Sequence, residues 1–219
     1  MSTAPTNRRR LLLWILSVLA VSNILIWSTL FPAPRQFLEN VTPKGASETR
    51  VAALLAAYNG TTTLPAAQKN HGCVVNGSLP DPACTPGDIF PDATPVEICV
   101  PGYTKQVRYV STSLKKHIYA SYSISYPQPT GSYEVDHLIP LALGGSNDAS
   151  NLFPEAKDPS PGFKEKDIVE VYLYEQLCAG HIPLAAAQMQ VAGNWVAVYQ
   201  ALDQSSIDTL KAKYRSWSN

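Results

Sequence analysis

The chain has 219 residues, its 17 Lys+Arg balance 17 Asp+Glu, and 45% of it is hydrophobic. That apolar content is enough for a packed core and excludes wholesale disorder, while 18 prolines exclude a long uninterrupted coiled coil. Charged residues are only 16% of the chain, against roughly 25% in ordinary soluble domains, so function has to be read from local features.

Residues 1–10 form a basic tail ending in Arg8, Arg9 and Arg10, and an uncharged run, LLLWILSVLAVSNILIWSTLF, fills residues 11–31. As a helix this run spans about 31 Å, which matches a bilayer core of about 30 Å. The flanking arginines hold the N-terminus in the cytoplasm and send the remainder outward, to the periplasm or cell surface. The run therefore reads as a membrane anchor. A cleaved signal sequence, leaving a secreted protein, is the alternative; it is disfavoured by the length of the run and by FPAPRQ, which lacks a small-x-small site. Every acidic residue lies beyond residue 31, with 14 of the 17 basic ones, so the exported part has a net charge of −3. Bulk charge thus excludes a generic polyanion binder. Any nucleic-acid affinity needs a local patch, such as Lys105, Arg108, Lys115 and Lys116 in the acid-free stretch 105–117.

Residues 32–69 read as a linker followed by a helix over 47–58, with Ser47 as its cap and Asn59-Gly60 as its stop. Turn formers crowd residues 70–103 (SLPDP, TPGD, FPD, VPG), which predicts irregular backbone pinned by disulfides. The cysteines are Cys73, Cys84, Cys99 and Cys178, and no C-x-x-C spacing suggests zinc. Export favours two disulfides. Of three possible connectivities, the expected one joins Cys73 to Cys84 across a local loop and Cys99 to Cys178 in a late helix. A short helix over 113–123, capped by Ser113, comes next.

From residue 133 the order is strand (YEVDHLIP), loop (LALGGSNDAS), strand (NLFP), loop and helix (KEKDIVEVYLYEQLCAG). Ile168, Val171, Tyr172, Leu173 and Leu177 suit the buried face of that helix, and Gly180 ends it. A further helix follows Pro183 as its first-turn proline, with Trp195 and Tyr199 packing in the core, and a last helix closes the chain. Asp136 and His137 end the first strand, and Asn151 opens the second fourteen residues later. A carboxylate suits an oxygen-preferring cation and a neutral imidazole suits proton abstraction from water. Strand alternation points neighbours to opposite faces, so the pair can share a site only where the strand ends and twists.

The segment YEVDHLIPLALGGSNDASNLFP resembles the core of HNH-type endonucleases, the ββα-metal fold. The likeness rests on the Asp-His pair, the proline three residues after the histidine, the Gly-Gly of the loop, and Asn-Leu entering the second strand. It is specific over about residues 133–170. A weaker likeness to exported bacterial members extends over about 73–200, through CTPG (84–87), ICVPGYTKQVR (98–108), and Ala187, Gln188, Asn194 and Trp195. The resemblance implies an α+β fold: a ββα core over 133–178 inside a domain of residues 70–219, with additional helices, a disulfide-stapled irregular region and an N-terminal transmembrane helix.

By the same resemblance His137 is the general base that deprotonates the attacking water, and Asp136 ligates one divalent ion, Mg²⁺ before Mn²⁺. Asn151 orders the loop carrying His137, and hydrolysis leaves 5′-phosphate products. The family's third metal position falls near Lys164, which cannot ligate while charged. Three outcomes stay open there: Asp167 or Glu134 as the substitute ligand, water in the vacancy, or poor metal binding. Lys164 and Lys166 at the helix start can hold a substrate phosphate or form a solvated first turn, with Lys115 and Lys116 as a second cationic patch. Glu170, at i,i+4 from Lys166, is expected as its ion-pair partner. The substrate expected is nucleic acid, DNA before RNA, with no protein partner. The alternative is a non-catalytic exported module with the same fold that binds nucleic acid or protein.

Overall fold

The computed structural model describes residues 64–214. The basic tail, the apolar run 11–31 and the helix expected over 47–58 lie outside the described residues. Among the described residues no helix is long and apolar enough to cross a membrane.

Residues 64–94 run as turns without a regular helix or strand, as their proline and glycine content dictates. One carboxylate organises them. Asp81 accepts the Val74 and Ala83 backbone N–H groups at 3.0 Å each and pairs with Lys69 at 2.9 Å. The Cys73–Cys84 disulfide closes the same loop, and Cys99–Cys178 joins the middle of the chain to a late helix. Both pairings are the expected ones.

Three short helices follow: α1 (Pro95–Ile98), α2 (Tyr103–Val107) and α3 (Thr112–Ser121). The N-cap of α3 is Ser111, whose hydroxyl accepts the Leu114 N–H at 3.1 Å. The expected cap, Ser113, lies inside the helix and exchanges a hydrogen bond with Ser111. The earlier serine wins because its extended backbone aims the hydroxyl at the third helical N–H.

Strands β1 (Tyr133–His137) and β2 (Leu152–Ala156) pair antiparallel, with Glu134 opposite Glu155 and His137 opposite Leu152. A side-chain period of two puts Glu134, Asp136, Phe153 and Glu155 on one face of this hairpin. Helix α4 (Phe163–Cys178) completes the ββα order. It starts at Gly162, where a Cβ atom would stand 2.2 Å from the Lys157 carbonyl oxygen, so only glycine permits the close approach. All five residues expected on its buried face are buried, and Gly180, at φ 75°, follows its end.

Helix α5 (Leu184–Ala201) begins just after Pro183, which serves as its N-cap residue rather than sitting in the first turn. The helix breaks at Asn194, whose Oδ1 accepts the Ala197 N–H at 3.0 Å and caps the second segment. Helix α6 (Gln204–Lys213) is capped by Asp203. The core holds Phe153 from β2, Val169 and Leu173 from α4, Val191 and Trp195 from α5, and Ile139 and Leu143 from the inter-strand loop. The architecture is mixed α+β with a small sheet.

Loop-closure entropy separates the two disulfides, which span 11 and 79 residues. Replacing Cys99 and Cys178 by alanine should lower unfolding stability by about 2–4 kcal/mol, and more than the same change at Cys73 and Cys84. Urea denaturation of the two double variants beside the parent measures the difference.

Candidate active site

The turn between the strands is held by one amide. Asn151 is fully buried, and its Oδ1 accepts the Ile139 N–H at 2.9 Å and the Asp88 N–H at 3.3 Å. Its Nδ2 donates to the Ile139 and Ser146 carbonyls, both at 2.9 Å. Every polar atom of this side chain is therefore used, and the backbone two residues beyond His137 is clamped on both sides. The clamp needs Gly145, because a Cβ there would lie 1.7 Å from the Ile139 carbonyl oxygen. Asn151 itself sits at the end of a 3₁₀ turn, Ala149–Asn151, one residue before β2. The structure thus places it where it orders the histidine-bearing loop, at Ile139 rather than at His137 itself.

His137 is 1% exposed, and its Nε2 lies 3.2 Å from Asn147 Oδ1. The Asn147 amide is oriented by two backbone groups: Nδ2 donates to the Val107 carbonyl at 2.8 Å, and Oδ1 accepts the Tyr109 N–H at 3.1 Å. With Oδ1 facing the ring, Nε2 carries the proton, and Nδ1 of the neutral imidazole keeps its lone pair. Burial lowers the imidazole's pKa below 6.5, while the Asp136 charge works in the other direction. Nδ1 stands 4.0 Å from Asp136 Oδ1, so the end of β1 does bring the pair together.

Between Val107 and Tyr109 lies Arg108, exposed and near enough for its charge to depress the His137 pKa. Asn147 thereby joins the histidine to the arginine segment. Neither role of Asn147 has a signature in the sequence, where it is one polar residue in a turn-rich loop.

On the carboxylate face of the hairpin, Lys166 of α4 has no solvent exposure. Its ammonium donates to Asp136 Oδ2 and to the His137 carbonyl, both at 2.7 Å, and pairs with Glu170 one helical turn away. Glu155 Oε2 lies 3.9 Å off. Burial opposes the lysine's charge, but Asp136, Glu170 and Glu155 outweigh it and hold the ammonium's pKa well above the ordinary value. The same cation keeps Asp136 ionised against its own burial. Glu155 is pushed well up by burial, Asp167 to about 8 by burial and its acidic neighbours, and Glu170 to about 7 by burial against the pull of Lys166.

These contacts correct one expectation. Lys166 does not face a substrate phosphate; three acceptor oxygens draw it inward, and its partner Glu170 is the expected one. Lys164 is exposed on the first turn of α4, and Lys115 and Lys116 are exposed on α3, Lys116 with its ammonium 5.5 Å from the Tyr126 ring centre. Glu134 is exposed on β1 and, with Asp167, lies within electrostatic reach of Asp136. No group of three or more His, Cys, Asp or Glu side chains among the described residues is spaced to hold a metal ion. Around Asp136 the oxygens converge on the lysine, so the residues present do not fit the divalent ion that the family resemblance implies. His71, His117 and His181 are exposed and distant in role, and Trp195 and Tyr199 pack in the core as expected. Comparison with family models, curated proteins and solved structures gives no match for this chain.

Replacing Asn151 by alanine leaves the Ile139 N–H and carbonyl unpaired inside the protein. The expected cost is roughly 2–4 kcal/mol of unfolding stability, read from the shift of the urea midpoint at unchanged slope.

Proposed function

We propose that this chain is an endonuclease of the HNH type that hydrolyses phosphodiester bonds of nucleic acid outside the cytoplasm. The observation that carries the reading is the contact of His137 Nε2 with Asn147 Oδ1: it favours the Nε2–H form, which leaves Nδ1 as a base beside a partly exposed carboxylate. The strand–loop–strand–helix order and the Asn151 clamp on the loop support it, since both match what the sequence resemblance implies. Two disulfides support an oxidising compartment.

In the proposed reaction a water within reach of Nδ1 gives up its proton to the imidazole as its oxygen attacks phosphorus. The 3′-oxygen leaves and takes a proton from solvent, and the 5′-phosphate product departs. Lys166 holds the His137 carbonyl and Asp136, and Asn151 and Asn147 hold the loop and the ring. The exposed Arg108, Lys164, Lys115 and Lys116 supply positive charge for the backbone of the substrate. Such contacts recognise phosphate rather than base, so cleavage with little sequence preference is expected.

A second reading, an exported binding module without catalysis, is favoured by one observation. His137 is 1% exposed, and Asp136, its partly open neighbour, already holds a cation. Both readings meet in one assay. The full-length protein is incubated with supercoiled plasmid and with structured RNA, in Mg²⁺, Mn²⁺ or chelator, beside His137→Ala. Nicking in any of these conditions that disappears in the variant supports the enzyme. Wild type and variant equally inert in all of them would leave the binding module.

The pH dependence follows from the direction of the histidine shift. The neutral imidazole is the active form, and its pKa lies below 6.5. The acid limb of kcat/KM should therefore have its midpoint below pH 6.5, with activity retained where an ordinary histidine is already half protonated. A midpoint above 6.5 would remove His137 as the base.

A further inference from the structure

Three oxygen-bearing elements close around one nitrogen. Asp136 Oδ2 and the His137 carbonyl come from β1, Glu170 from α4 itself, and Glu155 from β2. Carboxyl and carbonyl oxygens that converge on one point suit a cation. Here that point is the Lys166 ammonium. Glu155 closes the cage from β2. It is 1% exposed, and both of its carboxyl oxygens are buried without a hydrogen-bond partner. Burial favours the neutral form of this carboxyl, and Lys166 Nζ, 3.9 Å away, works against that.

We propose that the Lys166 ammonium is the resident cation of this site and keeps divalent ions away from Asp136. Two cations cannot share it. An ammonium and a divalent ion a few ångströms apart in a poorly solvated cage repel strongly, and Asp136 Oδ2 has one donor already in place. The lysine cannot swing aside cheaply, because its side chain is wholly buried beneath the hairpin. Lys166 is accordingly a positioning residue: it fixes the Asp136 carboxylate and the His137 main chain together. Divalent ions bind at Asp136 only when this ammonium is removed.

The inference concerns the same residues as the hydrolytic reading but is tested without substrate, so the two fail separately. Mn²⁺ is titrated into the full-length wild type, Asp136→Asn, Lys166→Ala and the Lys166→Ala/Asp136→Asn double variant, with free Mn²⁺ followed by its paramagnetic resonance signal. Wild type and Asp136→Asn should bind Mn²⁺ equally weakly. Lys166→Ala should take up one equivalent with affinity greater by about ten-fold or more, and the double variant should lose that gain. A melting temperature that rises with Mn²⁺ in Lys166→Ala alone would accompany it. Stoichiometric binding by wild type that Asp136→Asn abolishes would overturn the proposal, as would a folded Lys166→Ala that gains nothing. Should Lys166→Ala fail to fold with or without Mn²⁺, the comparison of wild type with Asp136→Asn decides alone.

Discussion

A lysine ammonium with no access to water is the constraint on which the site depends. Desolvating a charge is expensive, and removing one partner from such a cluster typically costs about 3–5 kcal/mol. Lys166 is tolerable only because Asp136, Glu170 and the His137 carbonyl surround it. Those partners belong to β1 and α4, so satisfying the charge sets the position of the helix on the hairpin. Core packing of Val169 and Leu173 against Phe153 and the inter-strand loop then holds that position. Packing and charge satisfaction reinforce each other: a shift of one residue along the helix would strand the ammonium in an apolar core.

The opposite side of His137 is ordered by neutral amides. Asn151 uses all its hydrogen-bonding capacity to shape the turn after the strand, and Gly145 lets the chain pass close enough for it to do so. Asn147 pairs with the backbone on either side of Arg108 and with the imidazole. The ring therefore lies between a fixed carboxylate and a fixed amide, with its tautomer set by the amide. This division, charge on one side and neutral dipoles on the other, gives the adjacent Asp136 and His137 different environments although they are neighbours in the chain.

Much of this was legible in the residue pattern. Turn density with paired cysteines led to the right disulfides, alternation with Gly-Gly and proline led to the hairpin, and helical spacing led to the buried face of α4. Legibility failed where the outcome depended on which neighbours the tertiary fold supplies. Lys166 at a helix N-terminus looks like a solvated or phosphate-binding residue, and only the carboxylates brought by β1 and β2 reverse that. Glu155 stands between Pro154 and Ala156, and nothing in the residue pattern separates it from Glu134, which lies opposite it and is exposed. Asn147 and the break at Asn194 are single polar residues whose partners lie elsewhere in the fold. Ser111 and Ser113 are both suitable caps of α3 by residue type, and only the extended backbone at Ser111 decides between them.

The central claim is that a lysine, not a metal ion, is the cation at Asp136. The most direct measurement is anomalous diffraction from crystals of the full-length protein soaked in Mn²⁺. The account predicts no anomalous peak at Asp136, with the Lys166 ammonium within hydrogen-bond distance of the Asp136 carboxylate and the His137 carbonyl. A manganese peak on Asp136, with Lys166 displaced from the carboxylates, would contradict it.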